Sequence, residues 1–197
     1  MSRLVIAALL LVPALAAAEP ARGDDTSDLG DQGIGVAIGA ASGGRVTPGG
    51  LRITGHYLYQ LSDEDWFDGT ASFTYGGGGA ACFRDRMALL VCDHGLAQGA
   101  GIELAASVRR VFDPRGQFRP FARAGVGVSL VRFSDDKVSG VAFPLHLGGG
   151  MRTTVAPKVA IVIEGELVLG LGVFNQGLGA EPQLGLALAA GAEFTLE

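Results

Sequence analysis

Beyond its first eighteen residues the chain has no uncharged apolar run of about 18 residues, the length a membrane-crossing helix requires. A helical membrane protein is thereby excluded, although 48% of the residues are hydrophobic. No basic run occurs, and acidic residues outnumber basic ones by 20 to 15, which argues against nucleic acid as a partner. Lysine is almost absent. Cysteine is limited to Cys82 and Cys92. Two thiols with only His94 nearby do not complete the usual four ligands of a zinc site. In an exported chain, a pair this close suggests one disulfide stapling a local loop. Glycine is the exception to this scarcity: 32 residues, about twice the usual share of roughly 7%. There is no G-x-y period, so the glycines do not signal collagen.

The first residues read as an address. Arg3 supplies a positive start, Leu4 to Ala16 an apolar core too short for a stop-transfer helix, and Ala16-Ala17-Ala18 a cleavage site before Glu19. Residues 1–18 are therefore expected to be a secretory signal peptide. No cysteine follows the cleavage site, which argues against a lipoprotein anchor. The remaining 179 residues suit one domain and carry 14 basic against 20 acidic residues. Residues 19–32 are acidic, with Gly, Pro and Ser, and are expected to be a disordered periplasmic lead-in to a domain over 33–197.

From Gly33 onward, apolar residues recur with period two, the signature of strands half buried on one face. Eight such segments are expected, at about 33–41, 50–60, 66–75, 99–111, 119–132, 141–153, 158–170 and 183–196. Ile34, Val36 and Ile38 share one face of the first. Ile161, Ile163 and Leu167 share one face of the seventh, opposite Glu164 and Glu166. The connections alternate. Leu61–Asp65, Phe112–Phe118 and Thr154–Pro157 are short; Gly76–Gln98 and Leu171–Pro182 are long; Ser42–Gly49 and Phe133–Gly140 are intermediate. Short turns at one rim and longer loops at the other describe an eight-stranded antiparallel up-and-down transmembrane β-barrel, its first strand paired with its eighth. Pro144 is expected at the top of the sixth segment or at a bulge. Tyr57, Tyr59, Trp66, Phe67, Tyr75, Phe112, Phe118, Phe143 and Phe194 near the segment ends suit interfacial aromatic belts.

One face of these segments is nearly free of charge. The other carries Arg52, His56, Glu103, Arg109, Arg123, Arg152, Glu164, Glu166 and Glu193. A soluble periplasmic barrel that binds a lipid would show the same alternation, with the faces exchanged. Its outer face would then be mostly Gly, Ala, Ser and Thr, too poor in charge for a soluble surface. In a membrane the pattern is natural, because an Arg turned toward lipid near the midplane costs roughly 2–4 kcal/mol. The interior charges balance with His56 neutral, four Arg against four Glu, and are expected to plug the lumen as ion pairs. The alternative is a narrow pore for small solutes or ions. Eight strands leave an interior just wide enough for side chains, and long charged chains fit there only beside small neighbours such as Gly125 and Gly148.

The stretch Leu145–Leu167, LHLGGGMRTTVAPKVAIVIEGEL, runs as apolar strand, Gly cluster, basic residue, short Pro turn and strand with inward Glu. It resembles the penultimate hairpin of small outer-membrane β-barrel proteins, the OmpA/OmpX-like group, and the likeness extends over about residues 33–196. The resemblance implies a structural, adhesive or narrow-pore component of the outer membrane of a Gram-negative bacterium. It also implies contact with outer-membrane lipid and lipopolysaccharide, and with the outer-membrane assembly machinery. That machinery usually reads a terminal aromatic residue, whereas this chain ends Phe194-Thr195-Leu196-Glu197. Some small barrels are lipid A hydrolases or acyltransferases, which need a His beside a nucleophilic Ser. Neither His56 nor His146 has a Ser two positions away, and Asp63-Glu64-Asp65 reads as a turn. No catalytic residue, metal or cofactor is therefore expected. The Cys82–Cys92 loop, with Phe83, Arg84, Asp85, Arg86 and Met87, is expected to be an exposed loop stiffened against proteolysis, with binding of an extracellular ligand as the alternative. Gly76–Gly79 lacks the Lys-Ser/Thr of a phosphate loop.

Overall fold

The computed structural model describes residues 30–44, 46–79, 81–84, 90–93 and 98–196. The expected signal peptide and residues 19–29 of the expected lead-in lie outside these. Ten strands form: β1 (Gln32–Gly43), β2 (Gly50–Gln60), β3 (Asp65–Gly77), β4 (Ala81–Arg84), β5 (Leu90–Asp93), β6 (Gln98–Val111), β7 (Phe118–Phe133), β8 (Val138–Ala156), β9 (Val159–Phe174) and β10 (Gly179–Leu196). Eight close into a barrel in the order β1-β10-β9-β8-β7-β6-β3-β2, and β4 and β5 make a separate hairpin in the connection between β3 and β6. Every neighbouring pair in the barrel is antiparallel. The closing contact runs from Gln32 opposite Leu196 to Gly43 opposite Gly185, so no strand of the barrel is left as an edge.

The period-two pattern becomes an inside and an outside. Ile34, Val36 and Ile38 on β1, Leu130 on β7, Ile163 on β9 and Leu184, Leu186 and Leu188 on β10 all point outward and are exposed. A water-facing surface of this kind would be an aliphatic belt around the whole molecule. Facing hydrocarbon, it is the solvated surface, and closure satisfies the backbone groups that lipid cannot. Close contacts between strands require glycine at particular inward positions. A methyl group on Gly125 would lie 2.1 Å from Ser107 Oγ and 2.5 Å from the Ala106 carbonyl oxygen. On Gly148 it would lie 2.8 Å from the Gly165 carbonyl oxygen and 3.3 Å from Nε of Arg123.

Several expectations are corrected. Gln32 belongs to β1 and not to the lead-in. The long connection expected at Leu171–Pro182 is a tight turn at 175–178, because β9 and β10 keep pairing beyond the apolar segments as far as Phe174 opposite Gly179. The loop expected at Phe133–Gly140 likewise shortens to 134–137. The two rims remain unequal. Turns 61–64, 112–117 and 157–158 share one rim with the start of β1 and the end of β10; the other holds 44–49, 134–137, 175–178 and the long connection that joins β3 to β6.

Pro144 is neither at the top of β8 nor at a bulge. It lies within the strand, fully buried, opposite Gly170 of β9. The ladder to β7 lapses at this level, between the pairs Val126–Leu145 and Ser129–Ala142, with no change of register. A proline nitrogen has no hydrogen to donate there. The irregularity in β8 falls at Thr154/Ala156 instead, next to its turn.

Trp66 is also corrected: it points into the barrel, against Val111, Phe121 and Val162. Phe67 is half-buried near the start of β3, and the remaining aromatics divide between the rims. Tyr57, Tyr59, Phe112, Phe118 and Phe194 are exposed at the short-turn side, and Tyr75 and Phe143 toward the loop side.

Candidate functional site

The barrel interior is built in layers. Nearest the loop rim is an apolar cap of Val46, Val131, Phe133, Val138 and Phe174, with Leu178 packed on it. Val46 comes from the β1–β2 turn and is fully buried. The inward ends of β7, β8 and β9 supply Phe133, Val138 and Phe174. Near the short-turn rim lies the second apolar group, around Trp66 and Phe121. The sequence reading expected a polar lumen throughout. The extended strand ends carry the alternation past the membrane-length segments and turn large apolar residues inward at both ends.

Between the two lies one connected network of charged groups. Arg52 Nη2 donates to Glu103 Oε1 at 2.9 Å and to Glu166 Oε1 at 3.1 Å. Ser72 Oγ donates to the same Glu103 oxygen at 3.2 Å. Glu166 also accepts from Arg123, and from His146 Nδ1 at 3.0 Å. Arg123 Nη1 lies 3.4 Å from Glu164 Oε2 and 3.5 Å from Asp68 Oδ2. Asp68 accepts from His56 Nδ1 at 3.0 Å and from Arg109 Nη2 at 2.8 Å. Arg109 continues to Glu193, which accepts from Arg152 Nε at 3.0 Å. The Arg109 guanidinium also sits 4.4 Å above the Phe121 ring, a cation–π contact that joins the network to the apolar group below it.

All nine charged residues singled out from the sequence lie in this network: Arg52, His56, Glu103, Arg109, Arg123, Arg152, Glu164, Glu166 and Glu193. Two members were left out of that set, Asp68 and His146. The signal was present for both. Asp68 has the same parity as Ser72 and Thr74 on β3, and His146 the parity of Gly148 and Arg152 on β8. Asp68 changes the charge count, because five carboxylates now face four guanidiniums. His56 has Nδ1 at 3.0 Å from Asp68 and Nε2 at 3.5 Å from Glu164, so each ring nitrogen faces a carboxylate oxygen. His146 likewise faces Glu166 with Nδ1 at 3.0 Å and Glu103 with Nε2 at 3.7 Å, so the network sets five carboxylates against four guanidiniums and two imidazoles.

Donor atoms of Glu103, His146 and Glu166 lie within 4.8 Å of one another, a spacing open to a metal ion. Arg52 argues against that use. Its Nη2 is within about 3 Å of both carboxylates, so a guanidinium already stands where the cation would sit. Nor does the network resemble a hydrolytic site: Asp68 and His56 form an acid–base couple, yet the second ring nitrogen faces Glu164 and not a hydroxyl.

Two cavities flank the network. One of about 80 Å³ opens at the short-turn rim, and one of about 30 Å³ lies between the network and the apolar cap. Each holds a few water molecules at most. Arg109, Arg152 and Glu193 line the first, and Arg52 and Glu103 the second.

No protein-family model matches the chain, and no curated protein matches it in sequence. Solved structures match it in shape. Neisserial surface protein A superposes with a TM-score of 0.60 at 14% identity, over 85% of this chain and 97% of that one. The outer membrane protein AlkL, determined in lipid bilayers, superposes with a TM-score of 0.52 at 13% identity, over 91% of this chain and 95% of that one. At such identity the likeness is one of fold. In fold, then, this chain is an eight-stranded antiparallel β-barrel of the kind that small outer-membrane proteins have.

Proposed function

We propose that the protein is a non-enzymatic, non-conducting barrel of a Gram-negative outer membrane that holds loops at one rim for recognition at the cell surface. The observation that carries this reading is the filled lumen: eleven ionisable side chains in one network, with an apolar cap toward the loop rim and a second apolar group near the short-turn rim. An ion crossing it would have to part contacts such as Arg109–Asp68 and Arg123–Glu166 in a low-dielectric interior, where unpaired charges are costly. Purified protein in a planar bilayer is expected to show no single-channel steps. Regular steps in the unmodified protein would move the assignment to the narrow pore, with the two flanking cavities as its entrances.

The recognition surface would be the long connection between β3 and β6, from which the β4–β5 hairpin is built. By this reading, lipopolysaccharide and other outer-membrane lipid form the solvent of the aliphatic belt, and the assembly machinery inserts the chain. The short-turn rim then faces the periplasm.

The hairpin register sets Cys82 directly opposite Cys92. Cross-strand positions of this kind have Cα separations within the range a disulfide spans. Export to an oxidising compartment would form that bond. Intact mass is expected to be lower by two hydrogens than after reduction. The reduced protein is expected to keep its barrel but to be cleaved faster by protease within 78–97. Free thiols in protein taken from the envelope would remove the disulfide from the proposal.

A further inference from the structure

We propose that the turn between β1 and β2 is a latch: Val46, seated in the barrel mouth, holds the start of the long connection from β3 to β6, so that closure of the lumen and anchoring of that connection are one state. Its use in recognition rests on the reading of the connection as the recognition surface.

The turn differs from its two neighbours at the loop rim. Residues 134–137 are exposed, as are Asn175, Gln176 and Gly177. Exposure is the rule for a connecting segment, whose backbone polar groups need water or a partner. In the β1–β2 turn, by contrast, Val46, Pro48 and Gly49 are buried. Val46 packs in one cluster with Val131 and Phe133 of β7, Val138 of β8 and Phe174 of β9, none of which pairs with β1 or β2. The turn therefore crosses the mouth. Thr47 and Pro48 line the cavity of about 30 Å³ that Arg52 and Glu103 of the network also line. The turn is thus a lid over the charged interior on the loop side.

A turn folded inward takes its backbone groups away from water, and the long connection supplies their partners. Gly79 N–H donates to the Gly44 carbonyl at 2.9 Å, and Gly49 N–H donates to the Gly77 carbonyl at 2.9 Å. Between them Pro48 forms a bridge with Gly78. The Gly44 carbonyl also accepts from Thr47 N–H at 3.2 Å. One oxygen therefore closes the turn that presents Val46 and holds the connection. The two backbones meet too closely for a side chain: a methyl group on Gly79 would lie 1.8 Å from the Gly43 carbonyl oxygen. β4 begins at Ala81, just beyond this contact, so the clamp lies at the base of the β4–β5 hairpin.

Such a coupling is reciprocal. Whatever draws the connection off the turn breaks the bonds at Gly44 and Gly49 and lets Val46 leave its seat. Unseating Val46 in turn frees the base of the hairpin.

Both directions are measurable in protein folded in detergent micelles, where reagents reach both rims. The first uses Val46→Cys in a Cys82→Ser/Cys92→Ser background, so that the introduced thiol is the only one. A charged maleimide is expected to label it slowly in folded protein and fast in urea. Adding Gly79→Ala, which forces the connection away from Gly43, is expected to raise the folded-state rate about tenfold by populating the open form. Gly116→Ala, in a turn at the opposite rim, should leave the rate unchanged. The second direction uses the native cysteines and Val46→Asp, which puts a charge in the apolar cap. Protease cleavage within the connection is expected to rise about tenfold over the parent protein. Phe121→Ala, which cuts into the apolar group near the opposite rim, should leave that cleavage unchanged.

The gel shift on heating identifies the variants that keep the barrel. If Gly79→Ala loses it, Gly49→Ala takes its place, because that methyl would lie 3.3 Å from the Gly77 carbonyl oxygen and displaces the same contact more mildly. A labelling rate unchanged by the glycine substitution, or cleavage unchanged by Val46→Asp, would overturn the latch. Neither readout depends on ion flow. Regular channel steps from protein that labels and cleaves as expected would remove the recognition reading and leave the latch. A silent bilayer with unaltered rates would do the reverse.

Discussion

Replacing Asp68 with alanine is expected to destabilise the barrel by about 3–5 kcal/mol, the cost of leaving buried charges without their partner. Asp68 is fully buried, and three basic side chains converge on it: His56, Arg109 and Arg123. Removing it leaves Arg109 with Glu193 alone, and Arg123 with Glu164 and Glu166. His56, Arg109 and Arg123 would then each be short of one carboxylate in the middle of the barrel. Asp68→Asn keeps the shape and some of the accepting capacity, so it should fall between the alanine variant and the parent protein. Ser72→Ala removes only one neutral donor to Glu103 and should cost about 1 kcal/mol. Urea unfolding in lipid vesicles, followed by the shift in gel mobility on heating, ranks the three. If Asp68→Ala unfolded at the same urea concentration as the parent, the network would not be what holds the interior together.

The second large effect tests the outside. Leu188 is 72% exposed and lies midway along β10, opposite Gly165 of β9. Leu188→Arg should cost about 2–4 kcal/mol if that surface faces hydrocarbon at the midplane. Leu196, also outward but at the end of β10, gives the control, because Arg near the interface costs only about 0–1 kcal/mol. The gradient along one strand is the diagnostic quantity. On a barrel surrounded by water both substitutions would stay within about 0.5 kcal/mol of neutral. Equal, small effects at the two positions would therefore remove the membrane from the account, whatever the barrel's shape.

These two experiments bear on different kinds of information. The outward position of Leu188 follows from the sequence, because side chains alternate strictly along a strand and the aliphatic parity is uninterrupted in β10. The central role of Asp68 does not. Its inward parity was legible, but its three basic partners come from β2, β6 and β7. Arg52 and Glu166, 114 residues apart in sequence, show the same limitation. Trp66 was placed with the interfacial aromatics because of its position near a strand end. Its parity, shared with Asp68, turns it into the lumen and makes it one wall of the cavity at the rim.

The sequence alone determined the number of barrel strands, their faces and the charged set destined for the interior, because period two is a local property of the chain and each strand displays it without reference to the others. Tertiary structure alone decided which charges meet, where the apolar caps lie and how far the hairpins extend. Those depend on the register and closure of the ring, which set the residues facing one another across the lumen and which no single segment contains.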